Sequence, residues 1–222
     1  MIEATLVDYM GTDLSVVNAA RVSFGKKSSW AKFTAGHADK GVLQDKDRKL
    51  IHYLAEHKHL SPFGHCFASF HVKAPLFVAR QLVKHKFLRW NEISRRYVDS
   101  EPEFYEPKEW RGRSADKKQG SEGVVSISGE TMRVASKASM WSVRNYRALL
   151  NAGVCPEQAR MVLPQSTMTE WYWSGSLDAF ADMCNLRCTD DTQLETRLAA
   201  NQICDKMKKL FPVSWFALRL EK

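Results

Sequence analysis

Apolar and polar residues alternate over residues 2–9, 67–74 and 167–173, the period of strands that cover one face and expose the other. Between them the spacing turns helical. Leu14, Val17 and Ala20 predict a helix that Asp13 can cap and that runs towards Val22, and Leu50, Ile51 and Leu54 predict a second over residues 45–57, ending before Ser61 and Pro62. Pro75 is placed to open a helix through Phe77, Val78, Leu82 and Val83. Later helices are expected from Glu130 to Leu150 with Gly153 at the C-terminal cap, from Pro156 to Val162 before Pro164, from Ser176 through Phe180 and Met183, and from Thr192 through Leu194, Leu198, Ile203, Met207 and Leu210 up to Pro212.

Two stretches have no clear period. Residues 23–41, with Lys26, Lys27, Ser28, Ser29, Lys32 and three glycines, read as a mobile surface insertion. Residues 101–128, with the pair Lys117 and Lys118, read as a long excursion before the next helix. The whole is α+β, one compact domain over residues 1–222 with a central, mostly antiparallel sheet flanked by helices and no internal repeat.

Charge enters next. The chain of 222 residues carries a formal net charge of +8, which favours an anionic partner, either nucleotide or nucleic acid. Its five cysteines (Cys66, Cys155, Cys184, Cys188 and Cys204) are too sparse for a secreted disulfide scaffold, so a reducing cytoplasm is the expected setting. The first residues have no basic and apolar leader pattern, and no apolar run reaches a membrane span, so no membrane association is expected.

The cations concentrate in residues 84–97, which hold Lys84, Lys86, Arg89, Arg95 and Arg96 with His85, Asn91, Glu92 and Ser94, and with Phe87, Trp90 and Tyr97 between them. Such a segment suits a phosphorylated heterocycle, the aromatics offering flat surfaces to a ring. On composition alone a solvated helix face or a surface for single-stranded nucleic acid fits as well. Gln81, Lys84 and His85 are expected to share a face as the chain leaves its helix, with Asn91, Glu92 and Ser94 in the following loop. No dinucleotide or phosphate-loop fingerprint occurs. His57, His59 and His65 suit a turn around Pro62 better than zinc, and Cys184 and Cys188, without a second pair, suit packing better than metal.

The order of several blocks goes further than composition. His85, Asn91, Glu92, Ser94, Arg96 and Tyr97 keep the spacing of the Arg-His-Arg signature of the flavin-dependent thymidylate synthases, which the chain resembles. Residues 19–24, 59–65, 159–164 and 185–187, with Gln193, Glu195 and Arg197, resemble further family blocks in the same order, so the likeness covers most of the chain.

The resemblance implies reductive methylation of dUMP to dTMP, with FAD as cofactor and 5,10-methylenetetrahydrofolate and NADPH as co-substrates, in a homotetramer whose sites are shared between subunits. It implies flavin contacts from Ser23, His59, Ser61, Lys84, His85, Lys86, Asn91, Glu92, Asn185, Arg187 and Asp191. For dUMP it implies Gln81, Lys84, Glu92, Ser94, Arg95, Arg96, Arg160 and Arg197, with Arg197, His85 and Ser94 nearest the chemistry. No metal is called for.

The alternatives are another C5 modification of a pyrimidine nucleotide and, last, nucleic-acid binding on the same fold. The chain departs from the family pattern at Lys84 and Lys86, which replace planar arginine forks with point charges, and at Arg89, Gly64 and Asp191.

Overall fold

The computed structural model describes residues 1–31, 41–115 and 120–219. Lys32, Lys117 and Lys118 lie outside them. Four strands form one antiparallel sheet: β1 (Glu3–Met10), β2 (Phe67–Pro75), β6 (Met168–Ser176) and β3 (Leu88–Glu92), in the order β1-β2-β6-β3. Strands β4 (Arg111–Arg113) and β5 (Ser121–Val124) make a separate hairpin.

Alternation decides which face of the sheet is covered. Ala68, Phe70, Val72 and Ala74 of β2 and Trp171 and Trp173 of β6 are buried, while His71, Lys73 and Tyr172 between them stay in contact with solvent. Helices α3 (Leu76–Leu82), α6 (Leu177–Arg187) and α7 (Leu194–Leu210) pack on the buried face. Behind them, α8 (Pro212–Leu218) touches α1 (Asp13–Arg21), α2 (Asp45–Glu56), α6 and α7. Helix α4 (Gly129–Asn151) differs from these. It buries only Tyr146 and rests on the four-residue helix α5 (Pro156–Ala159), leaving Val134, Met140 and Trp141 exposed.

Several local expectations change. Asn91 and Glu92 lie on a strand, β3, rather than in a loop; only Ser94 follows in a turn. Gly175 eases this pairing, because a Cβ there would lie 2.3 Å from Leu88 Cδ2 and 3.0 Å from Phe87 O, so a side chain would force Leu88 to turn and crowd the β3 backbone. Trp90 has a ring face already taken: it stacks on Trp171 at 4.3 Å and meets Trp173 edge-on at 5.7 Å. Helix α3 ends at Leu82, so Lys84 and His85 belong to the turn beyond it.

Thr12, not Asp13, caps α1, its N–H donating to Ser15 Oγ at 3.0 Å. The buried Asp13 carboxylate instead accepts the first amides of α8, from Val213 at 3.0 Å and Ser214 at 2.9 Å. Pro212 starts that helix rather than only ending its predecessor, since the first turn needs no N–H from proline.

The segment after α1 is partly anchored. Ser28 is buried, its backbone exchanges hydrogen bonds with the Asn18 side chain, and its hydroxyl donates to Asp47, which Arg21 also binds at 2.6 Å. The described helices include none long and apolar enough to cross a membrane.

Candidate active site

A cavity of about 1100 Å³ opens where α3 ends, α6 ends and the chain turns into α7. Gln81, Lys84, Asn185, Arg187 and Asp191, all expected site residues, line it. The hairpin closes one side through Gly120. Its φ of +94° and the 3.2 Å a Cβ there would have from Asp191 O leave room only for glycine without adjustment.

His85 and Arg187 meet directly, Arg187 Nε donating to His85 Nε2 at 3.0 Å. The proton of the neutral ring therefore sits on Nδ1. Burial, with the Arg187 charge behind it, pushes the His85 pKa from 6.5 down to about 4, so the ring is neutral at physiological pH.

A hydrogen-bond chain runs beside this pair. Gln81 Nε2 donates to Gln193 Oε1 at 2.5 Å, Gln81 Oε1 accepts from Thr196 Oγ1 at 3.1 Å, and Gln193 Nε2 donates to Glu195 Oε2 at 3.1 Å. Arg111 and Tyr105 complete the chain at Glu195: an Arg111 nitrogen lies 2.8 Å from each carboxylate oxygen, and the Tyr105 hydroxyl donates at 3.3 Å. Burial opposes ionisation of Glu195, but the Arg111 contacts outweigh it and hold the carboxyl below its usual value. Arg111 comes from the aperiodic excursion, and no spacing or motif there marks it in the sequence.

Arg197 stands one turn into α7. It holds Asp190 at 2.5 Å, and the Asp190 side chain is fully exposed. Such a pair is weak in water, so an anionic ligand can take the guanidinium at little cost.

A second group gathers at the far end of β3. Glu92 faces inward and is fully engaged, with Trp90 Nε1 donating to Oε2 at 3.1 Å and Thr169 Oγ1 to Oε1 at 2.7 Å. Ser94 Oγ accepts from the Arg96 amide at 3.3 Å, and Arg95 donates to Ser100 O at 2.5 Å. Arg96 and Arg160, distant in sequence, converge on Glu157: Arg96 binds its carboxylate at 2.9 Å and Arg160 its main-chain oxygen at 3.2 Å. One guanidinium held by an exposed carboxylate, beside a second held by the main chain of the same residue, can exchange that carboxylate for a ligand anion.

Of the expected flavin residues, Ser23, His59, Ser61, His85, Lys86, Asn91 and Glu92 do not line the cavity, His85 meeting its wall only through Arg187. Ser23 lies in a short helical turn after α1, and Ser61 opens another after α2. His59 lies parallel to His57, at 6.4 Å, and to Tyr53, at 6.2 Å, and among the described residues these histidines join no metal-ligating cluster. Asn91 pairs with Tyr172 on the open face of the sheet. Gly64 is not demanded by packing, because a Cβ there meets open space.

Residues 5–213 match the model of the family described as thymidylate synthase complementing protein. A flavin-dependent thymidylate synthase of Thermus thermophilus is 40% identical over 212 residues, spanning 96% of this chain and 73% of the relative. One from Thermosipho melanesiensis is 37% identical over 210 residues, spanning 93% and 86%. Among solved structures, a UMP/dUMP methylase, PolB, from Streptomyces cacaoi with 5-Br dUMP superposes with a TM-score of 0.78 at 32% identity, covering 98% of this chain and 94% of that one. The same methylase with 5-Br UMP gives 0.79 at 31% identity, with 98% and 93% covered. On its matched length and its relatives alike, the chain belongs to the family of the flavin-dependent thymidylate synthases.

Proposed function

We propose that this protein transfers a one-carbon unit from 5,10-methylenetetrahydrofolate to C5 of dUMP and reduces it to the methyl group of dTMP, with FAD as the redox cofactor and NADPH as the reductant. The observation that carries the reading is the contact of His85 with Arg187, 102 residues apart, which ties His85 to the wall of a cavity that Arg187, Gln81, Lys84 and Asn185 line.

The donor set fits a flavin nucleotide. Lys84 and Arg187 offer positive charge to a diphosphate, Asn185, whose Nδ2 donates to Leu218 O at 3.0 Å, adds a polar amide to the wall, and neutral His85 beside Arg187 presents an Nδ1–H rather than a second charge. When bound and reduced, a flavin supplies the hydride that completes the methyl group. Asp191 brings a carboxylate to the same wall, which opposes negative charge on the bound group and favours a weaker hold on its reduced anion.

For the nucleotide, Arg96 and Arg160 clamp the phosphate once Glu157 yields, and the Ser94 hydroxyl adds a donor. Arg197, released from Asp190, stabilises the charge that develops along the uracil N3–O4 edge as C5 becomes nucleophilic. Gln81 is held in place by Gln193 and Thr196 and orients the ring. No cysteine need attack the ring: burial pushes the Cys66 thiol up to about 12, and Cys155 sits at the start of α5 next to Pro156.

Neighbouring Asn91 and Glu92 face opposite sides of the sheet, so one ligand cannot engage both from the same side of one chain. With Ser23 and Ser61 also outside the cavity, this supports sites completed between chains, in a homotetramer. The apolar, exposed stripe of α4 supplies surface for such contacts, with Val134 63%, Met140 68% and Trp141 55% exposed.

A second reading, methylation of UMP, is favoured by the likeness to the solved UMP/dUMP methylase. Nucleic-acid binding is the weakest reading, because Arg95, Arg96 and Arg187 are each occupied by a partner rather than aligned along an open groove. The test is an absorption spectrum of purified protein followed by mass spectrometry of the product from dUMP and from UMP, with methylenetetrahydrofolate and NADPH. Yellow protein that yields dTMP is expected. Colourless protein, inactive on either nucleotide with added FAD, removes the proposal, and a methylated product from UMP alone replaces it with the second reading.

A further inference from the structure

Three of the five cysteines come together behind the α6 wall of the cavity. Cys184 and Cys188 stand one turn apart at the end of α6, Cys204 faces them from α7, and the three sulfur atoms all lie within 4.8 Å of one another. Cys184 is buried and the other two are half-buried, with Cys188 reaching the cavity wall.

The spacing suits coordination. Sulfurs bound to one ion at about 2.3 Å in a trigonal arrangement stand about 4 Å apart, so small side-chain rotations close the difference. The bond from Cys184 Sγ to the main chain is a long one, to Ala200 O at 3.7 Å, which an ion can replace. A second feature points the same way. Arg219 lines the cavity beside Cys188, and its buried Nη1 has no hydrogen-bond partner among the described residues, leaving a cation facing a site that becomes anionic when three thiolates hold a divalent ion.

We propose that Cys184, Cys188 and Cys204 form a three-thiolate site for a thiophilic metal ion of the zinc and cadmium class, with solvent from the cavity completing the coordination. Soft thiolates select such ions over magnesium or calcium. The ion ties the end of α6, which carries Asn185 and Arg187, to α7, which carries Arg197, so its binding stiffens the wall of the cavity without entering the reaction. This site goes beyond the proposed methylation and does not depend on it.

The test uses the full chain, reduced and freed of metal with a chelator, then titrated with cadmium ions alone. The expected result is thiolate-to-cadmium absorption that saturates at one ion per chain, reversal by excess zinc, and a higher unfolding temperature with the ion bound. Cys188→Ser and Cys204→Ser should lose the absorption, and Cys155→Ser, outside the cluster, should keep it. Where a cluster variant does not fold, alkylation of Cys188 in the unaltered protein decides: protection by cadmium supports the site. An unchanged alkylation rate, absorption that survives both cluster variants, or absorption lost equally in Cys155→Ser overturns it. So does a disulfide among the three that, once reduced, yields thiols taking up no cadmium.

Discussion

Glu92 and Asn91 are adjacent on β3, yet they live in different surroundings. Glu92 points to the covered face of the sheet, where Trp90 and Thr169 occupy both of its carboxylate oxygens. Asn91 points to the open face, opposite Tyr172 and in line with His71, with solvent around it. On the covered side the chain supplies its own partners, and the positions of Gln81, Gln193 and Glu195 are set before any ligand arrives. The open side presents side chains whose use depends on another surface. Preorganisation is thus confined to one half of the candidate machinery, and the other half is the one that the proposed homotetramer would complete.

The largest effect that can break this contrast lies in the covered network. Arg111→Ala leaves the buried Glu195 charge without its cation, and urea unfolding should show a loss of about 3 kcal/mol. A loss near zero would mean that the network sets no geometry. Next comes Arg197→Ala, expected to lower dTMP formation about 100-fold while leaving the unfolding midpoint where it was, because the Asp190 it abandons is already solvated. Unchanged turnover would strip Arg197 of its role. On the open face, Asn91→Ala should weaken FAD retention about tenfold with no change in stability, the effect of one lost hydrogen bond to a ligand; equal flavin content in variant and parent would leave the open face without a cofactor role.

A further effect is confined to acid pH. His85 binds a proton in the unfolded chain near pH 6.5 but in the folded chain only near pH 4, so the unfolded state gains protons first as pH falls. Its contribution to stability is complete above about pH 6.5 and declines from there through about pH 4. His85→Gln should flatten that part of the stability profile. A variant whose profile keeps the same slope would place the proton uptake elsewhere.

The sequence makes the long elements readable because their burial is one-sided and sustained: β2 and β6 alternate over nine residues each, and α7 repeats its apolar face over 17. Strand β3 escapes because it has five residues, two of them charged, at the edge of the sheet, and its inward Glu92 mimics a loop residue. The β4–β5 hairpin and Arg111 escape because short strands in a Gly- and Lys-containing stretch carry no period. The pairing of His85 with Arg187 follows the family order, but its geometry does not, since no local pattern says which side chains fold together across 102 residues. The same limit hid the third thiol: Cys184 and Cys188 announce a helix face, and only the packing of α7 brings Cys204 to it.

The clasp between Asp13 and α8 bears on when this protein can become itself during synthesis. Its two ends are 201 residues apart, so an early carboxylate must wait for Ser214 to leave the ribosome before it can be buried with its partners. Until then the first helix carries a charge that resists enclosure, and premature closure of the core over α1 is discouraged. Helix α8 therefore closes this part of the core late in synthesis, since the amides that satisfy Asp13 belong to residues 213 and 214.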